Sequence, residues 1–598
     1  MIERYSNLSN KYFFYITKNV DCMKNSIVII ILSFLKEEIR IIISRIKFIY
    51  YFVKEFSISK FFYYLIDNSV IPSRDKIFRN YILKNSKKWK FKRNIINKNI
   101  NKYVLVTNMV NHVGYAMTQI VVGKNLMEML ESNGIGLLRK YDLRSKLIFE
   151  SFGVKKFIFL NDLNFFMRIK YFLMAYSIIK SYKTVDDFFE FELNGVNLGL
   201  AVVDHFLRFM SSGTINYFHP KFYLFLSQAL SVHYQIKKNY DKFKFVACVQ
   251  SERQFIPSSI IYQFLLTNGI NVYTPTGSSN VFSVRKYSDT REIWKNRDRY
   301  SQKLYDQVCN SIKEKAVEIG RNNIEKRFIG IPEYEAYNYN YVERPSSLKK
   351  KKEKKTVNKK ELCEKLEWDQ NKSIVVILAS DLRDGIFDCT WKLFKDRLIW
   401  IRETLLEIKN IKNVNWLVKP HPNEEKYNIV LGTMPEYKKI CSNYKHILPF
   451  PDNVTNESIP SFAHCVITVG SASYEYASLG IPAINTMESP CSGRGFTIDP
   501  GSKKEYFDLL YKIEKINKLN KDQIDKAKIH VYIESELTKI NVNLITPFEN
   551  GPMNDKTFWA KMIKLVDNYN EEKDLLKRMM KIQEINNDRH TINYDSLK

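Results

Sequence analysis

Two alternations of strand, loop and helix, separated by a run of charge, constrain this chain more than any other feature. Residues 103–107 (YVLVT) are a continuous apolar run, as expected of a strand covered on both faces. A polar loop, 108–115, carries Gly114, and 117–130 then shows helical spacing. Strand, glycine-bearing loop and helix open a Rossmann-like domain. Apolar runs at 156–160, 245–249 and 269–273 supply further parallel strands. Residues 346–366 (SSLKKKKEKKTVNKKELCEKL) hold almost no apolar side chains and read as a solvated linker. The alternation then restarts, with strands at 373–379 (SIVVILA), 414–418 (VNWLV), 465–469 (CVITV) and 483–485, and helices at 391–408 and 472–479. A chain of 598 residues exceeds a single core. The expected architecture is therefore α/β, with two Rossmann-type parallel-sheet domains facing a cleft. Residues 1–99 form a helical basic leader, 100–345 the first domain, 346–366 the linker, 367–545 the second domain and 546–598 C-terminal helices.

Charge narrows the partners only partly. Lys and Arg number 93 against 64 Asp and Glu, a net +29. Such an excess suits nucleic acid, an anionic membrane or an acidic substrate, and it also follows from the Lys-, Asn- and Ile-rich composition of an AT-rich genome. The basic residues are dispersed and no nucleic-acid motif occurs, so no nucleic-acid partner is expected. The eight cysteines form no C-x-x-C pair, which removes the usual zinc and thioredoxin-like motifs and fits a reducing cytoplasm.

The leader raises the question of a membrane. Residues 26–35 are an apolar run closed by Lys36, Glu37 and Glu38, well short of the roughly 20 residues of a span. Beyond it Ile39, Ile42, Ile43, Ile46, Tyr50 and Val53 fall on one helical face, and Arg40, Ser44, Lys47 and Lys54 on the other. Such a helix either lies on an anionic leaflet or packs on the protein's own core. The expected location is the cytoplasm, with peripheral attachment to the inner membrane as one reading.

Ligands of parallel sheets bind beyond the carboxyl ends of the strands. Two loops there carry chemistry. Lys419-Pro420-His421-Pro422 follows VNWLV directly, and its two prolines restrict the backbone on both sides of the imidazole. That ring is placed to donate to a phosphate or sugar oxygen, or else only to close a turn. The second loop runs from Thr468 through Val469, Gly470, Ser471, Ala472, Ser473 and Tyr474 to Glu475, and Gly480-Ile481-Pro482 follows. A strand ending in glycine and small residues before a helix makes an anion site, or alternatively a serine-capped helix.

In this order and about fifty residues apart, the two signals carry a resemblance. The stretches VNWLVKPHP, CVITVGSASYEYASLGIPAI and SGRGFTIDPGSKKEY (492–506) resemble bacterial capsule and surface-polysaccharide synthesis proteins of the GT-B fold, related in pattern to capsular Kdo transferases and bacterial sialyltransferases. The likeness is strong over 374–506 and looser back to residue 100. It implies a glycosyltransferase that moves a sugar from a nucleotide-activated donor, a CMP-sugar by preference, to a growing surface polysaccharide or glycolipid. It further implies that His421 meets the donor phosphate, that Gly470, Ser471 and Ser473 cradle it, that Glu475 holds the ribose, and that Lys419 and Arg494 add positive charge. The acidic pair that sialyltransferases carry before glycine in their first domain is missing. Arg383-Asp384-Gly385 is the nearest equivalent, so Asp384 and Asp381 join His421 as catalytic candidates. Asp388, Asp204, Glu252 and His112 are further cleft candidates.

No Asp-x-Asp occurs, and GT-A enzymes usually hold their metal that way. No metal and no cofactor beyond the nucleotide-sugar substrate is expected. Competing readings are a polyol-phosphate transferase of the teichoic-acid type, a non-hydrolysing nucleotide-sugar epimerase, and a non-catalytic membrane scaffold.

Overall fold

The computed structural model describes residues 27–56, 76–93 and, from 101 to 597, all but 111, 141, 161–162, 216, 278–279, 290–299, 330–353, 388, 390, 430 and 547–555. Two helices lead the chain, α1 (Ile27–Phe56) and α2 (Lys76–Arg93). The first sheet then forms from β1 (Tyr103–Asn108), β2 (Asn133–Arg139), β3 (Lys156–Leu160), β4 (Phe245–Val249), β5 (Val272–Pro275) and β6 (Val284–Tyr287). Its order is β3-β2-β1-β4-β5-β6, parallel throughout except for β6. Helix α3 (Val113–Met129) follows β1; it starts four residues before the expected helix, so Gly114 lies inside it. Helices α4 (Phe165–Lys180) and α5 (Leu198–Met210) occupy the crossover from β3 to β4.

The second sheet comprises β7 (Ile374–Leu378), β8 (Asn415–Lys419), β9 (Ile447–Pro449), β10 (Ala463–Thr468) and β11 (Ala483–Asn485), ordered β9-β8-β7-β10-β11 and wholly parallel. In both sheets the first strand is central and the chain winds outward from it on either side. That is the doubly wound Rossmann arrangement, with a switch point between β1 and β4 and another between β7 and β10. The strands read as apolar runs rather than alternations because helices cover both faces: every residue of β1 and of β7 is buried.

Three further boundaries differ from the sequence reading. Helix α6 (Gln302–Ile329), counted with the first domain, shares a core with the second: Tyr300, Leu304 and Val308 pack with Ile529 and Ile533. The charge run is only partly a linker. Its later half is α7 (Lys359–Leu366), opened by an Asn358–Glu361 capping box and anchored by buried Leu362 and Cys363, while Lys355 pairs with Asn453 and Thr455. Two apolar side chains on one turn suffice to dock that helix, and the surrounding lysines conceal them. Lastly, α8 (Arg397–Ile408) starts six residues later than expected, because Asp396 caps it by accepting from the Ile399 amide at 2.8 Å.

The chain returns to its beginning. Past the second sheet, α9 (Lys556–Asn568) sends Trp559, Met562 and Val566 into the core that holds Phe78 and Tyr81 of α2. Helix α10 (Leu575–Asn586) adds Met579 and Met580 to that core. Of the leader's expected amphipathic face, Val53 and Lys54 have side chains outside the described residues.

Candidate active site

The carboxyl edges of the two sheets meet. The loop after β7 enters the first domain, where Ile386 and Phe387 are buried in its core and Phe387 stands edge-on to Phe189 at 5.6 Å. Gly385 in that loop has φ +61, and a side chain there would begin 2.5 Å from Gln254 Nε2, in the loop after β4. From the other side, the Arg383 guanidinium donates to the Arg208 carbonyl at 3.2 Å, at the end of α5. Thr214 donates to Asp396 at 2.6 Å and the Gly213 amide to Leu431 at 3.1 Å. The two switch points therefore open toward one another, which is the GT-B-like arrangement.

At this junction His421 caps the short helix Pro422–Lys426, its Nδ1 accepting from the Asn423 amide at 3.2 Å. An accepting Nδ1 leaves the neutral ring's proton on Nε2. Burial, and secondarily the Arg397 charge, lower the His421 pKa against the pull of Asp381 and Asp384. The imidazole is thus a neutral ring whose free donor is the Nε2–H. Asn423 also donates to Asp381 Oδ2 at 2.5 Å, while Asp381 Oδ1 accepts from the Arg383 amide at 3.0 Å. Burial alone would raise the Asp381 pKa; these hydrogen bonds and the nearby positive charges outweigh it and hold the carboxyl below its ordinary value. With both oxygens engaged and its charge fixed, Asp381 positions His421 through Asn423 and is a weak proton acceptor. Asp384 is different: its half-exposed carboxylate lies 3.3 Å from Arg208 of the first domain. Arg397 secures the whole loop by donating to the carbonyls of Asp381, Asp384 and Gly385.

The second loop has a divided character. Gly470 has φ +82 and ψ −143, backbone that favours glycine, and nothing lies within 4 Å of a side chain built there. No side chain caps the helix Ser471–Ala477 that it opens. Ser489 accepts from the Gly470 amide at 3.0 Å, so that amide already has a partner. Ser473, expected at the phosphate, is fully buried and donates to the Gly470 carbonyl, which makes it a brace beneath the loop. Ser471 stays at the rim, 3.4 Å from Arg327 of α6, and Glu475 is ion-paired to that same arginine at 2.7 Å. The Glu475 carboxylate, expected on a ribose, is thus tied to α6.

The remaining expected cations also take structural partners. Arg494 is buried, donates to the Tyr300 carbonyl at 2.6 Å and to Gln302, and lies over the Tyr300 ring. It locks α6 to the second domain and leaves the crevice. Lys419 sits 4.3 Å from the Phe450 ring, and burial draws its pKa down to about 8, so it remains mostly protonated at neutral pH. Among the first-domain candidates, Asp204 is buried on α5, where its charge acts on Lys392 and Arg397 across the junction. Glu252 accepts from the Gln254 amide at 2.8 Å. His112 stands at the start of α3, and Asp388 lies outside the described residues.

Sequence reasoning missed Asn423, Arg208, Arg327 and Arg397. Asn423 had a signal, two residues beyond the histidine at a helix start. Arg208 and Arg327 had none, since folding alone brings them to the crevice.

Buried histidines give the fold a dependence on pH. Burial lowers His112 and His219 to about 4 and His205 to about 3 from an ordinary 6.5. The unfolded chain takes up these protons near pH 6.5 and the fold only well below it. Their contribution to stability is therefore complete above pH 6.5 and is lost as pH falls toward 4. The melting temperature should fall across that window, and His219→Gln should flatten part of the decline. A melting temperature constant from pH 7 to 4 would contradict the neutral, buried assignment.

No protein-family model and no curated protein sequence matches the chain. Among solved structures it is similar to a glycosyltransferase from Rickettsia africae ESF-5, at 11% identity over 79% of this chain and 100% of that one, with a TM-score of 0.21. It is likewise similar to the UDP-GlcNAc 2-epimerase from Neisseria meningitidis bound to UDP-GlcNAc, at 10% identity over 73% and 97%, with a TM-score of 0.21. Likeness of this degree says nothing about the reaction. The fold assignment rests on the strand orders given above.

Proposed function

We propose that the chain is a glycosyltransferase whose second domain holds a nucleotide-activated sugar and whose first domain presents the acceptor, a growing surface polysaccharide or glycolipid at the inner face of a membrane. The observation that carries this reading is the meeting of two switch-point crevices, with His421, Asp381 and Asp384 of one domain set against Arg208 of the other. Ligands of doubly wound sheets bind at such points, and two crevices opening on one another accommodate a donor and an acceptor together. Within it, the Nε2–H of His421 meets the donor phosphate, and the Gly470–Ser471 loop, with Lys419 and Arg327 nearby, receives the rest of the nucleotide. Preorganised donors of this kind stabilise the charge that grows on a departing nucleotide. Asp384 has a half-exposed carboxylate at the junction of the two domains, and we assign it the base or carbocation-stabilising role. The likeness to Kdo and sialyl transferases favours a CMP-sugar.

Product analysis tests the proposal. Incubated with a CMP- or UDP-sugar and an extract containing surface-polysaccharide acceptors, the enzyme should release nucleotide in step with sugar incorporation. A product that stays nucleotide-linked would identify an epimerase instead, and transfer of a polyol phosphate would identify the teichoic-acid type of reaction.

A further inference from the structure

Helix α1 is docked along its first half only. Ile30 and Ser33 are buried, Phe34 meets Phe172 of α4 with ring centroids 4.6 Å apart, and Glu38 takes two hydrogen bonds from Arg168 at 2.7 and 2.6 Å. Past that ion pair one row of apolar side chains faces solvent: Ile42, Ile46 and Tyr50 are 55%, 61% and 62% exposed, and Ile39, Ile43 and Ile49 are exposed beside them. At 3.6 residues per turn these six fall within an arc of about 120°. Lys36, Arg40 and Lys47 flank one side of the arc and Arg45 the other, all exposed. Both nearby acids, Glu37 and Glu38, lie off the stripe.

The contacts with α4 extend this face. Positions 34 and 38 of α1 meet 172 and 168 of α4, so the two helices run antiparallel. The first turn of α4 therefore comes level with Ile39 and Ile42. That turn carries Phe165, 46% exposed, and Phe166, 78% exposed, and Leu173 is 60% exposed farther along the same helix. Two adjacent helices thus present isoleucines and phenylalanines to solvent, bordered by basic side chains.

We infer that α1 and the start of α4 form one composite surface that lies in the headgroup region of an anionic bilayer, with Phe165 and Phe166 inserted beside the isoleucine stripe. The occupant follows from the chemistry. Apolar side chains bordered by lysine and arginine match acyl chains beneath anionic headgroups, and the chain's net charge of +29 favours approach to such a leaflet. No described helix is long and apolar enough to cross a membrane, so the face lies on the bilayer. The surface is fixed to the first domain through Glu38 and Arg168, so docking would set how that domain's crevice meets a membrane-held acceptor. This inference bears on the proposed acceptor but stands on the helix geometry alone.

Vesicle flotation of the full chain tests it, using phosphatidylcholine with and without phosphatidylglycerol. The wild type should bind the phosphatidylglycerol vesicles at least about tenfold more tightly than phosphatidylcholine alone, and high salt should weaken that binding. Phe165→Ser with Phe166→Ser, and separately Ile42→Ser with Ile46→Ser, should each weaken it at least about tenfold, because every apolar side chain kept out of the bilayer forfeits its transfer energy. These residues are exposed, so melting temperature and nucleotide affinity should not change, and a failure here leaves the donor reading untouched. Absence of binding to anionic vesicles, or full binding by the phenylalanine variant, would overturn the composite surface. So would a wild-type sedimentation mass of a dimer that reverts to monomer in these variants, since the face would then be covered by a second copy.

Discussion

Replacing His421 by alanine should remove nearly all transfer, at least about a hundredfold, the scale associated with loss of a preorganised donor at a developing charge. The ring is held by the Asn423 amide on Nδ1, and Asn423 is in turn held by Asp381 at 2.5 Å. All of that positioning serves a single group, the Nε2–H. Alanine also deletes the cap of a short helix, worth about 0.5–2 kcal/mol, so a modest loss of stability accompanies the kinetic one. His421→Asn separates the two effects. Asparagine is a favoured cap and restores the helix start, but it cannot extend an N–H to the place of Nε2. It should melt with the wild type and remain as inactive as the alanine variant. Activity within about threefold of wild type in either variant would reduce Lys419-Pro420-His421-Pro422 to a turn.

Gly470→Val should abolish nucleotide binding, and it should disturb the fold more than its sequence context suggests. From sequence alone the substitution blocks a ligand's approach with only a modest folding cost. The structure adds φ +82 and ψ −143, a conformation that costs a residue with a side chain about 1–3 kcal/mol. Beyond the glycine and its two chain neighbours nothing lies within 4 Å of the new Cβ, so the strain comes from the backbone and the valine projects into the space over the loop. Ser471→Ala provides the unstrained comparison. It should lower nucleotide affinity roughly ten- to a hundredfold, the value of a charge-assisted hydrogen bond of about 1.5–3 kcal/mol, with no change in melting temperature. Calorimetric titration of both variants distinguishes strain from lost contact. Undiminished nucleotide affinity in a folded Gly470→Val protein would take the phosphate away from this loop.

Both sheets and most of their strands were legible in the sequence, because a strand buried on both faces must be an apolar run, as YVLVT and SIVVILA are. The loops bearing His421 and Gly470 could be placed for the same reason, since each directly follows such a strand. What stayed hidden depends on contacts distant in sequence. Nothing near Arg494 shows that Tyr300 and Gln302 will occupy its guanidinium, and nothing near Glu475 points to Arg327. Ser473 differs from Ser471 only in facing inward, a distinction set by the helix's rotation against Ser489. The two domain edges were obscured likewise: α6 joins the second domain through packing on Ile529 and Ile533, although it precedes the charge run. The spacing of Ile39, Ile42, Ile43, Ile46 and Tyr50 marked one exposed face, with the Val53 and Lys54 side chains outside the described residues, but that α4 lies beside this helix required the pairing of Glu38 with Arg168.

Every role proposed here requires a nucleotide in the second domain's crevice, between the loops after β7, β8 and β10. Photo-crosslinking with an azido-pyrimidine nucleotide, followed by peptide mapping, locates it. We predict label within 379–387, 419–427 or 469–475, competed away by unmodified nucleotide and lost in Ser471→Ala at limiting probe. Label confined to the first domain, or none that unmodified nucleotide displaces, would remove the nucleotide from this crevice.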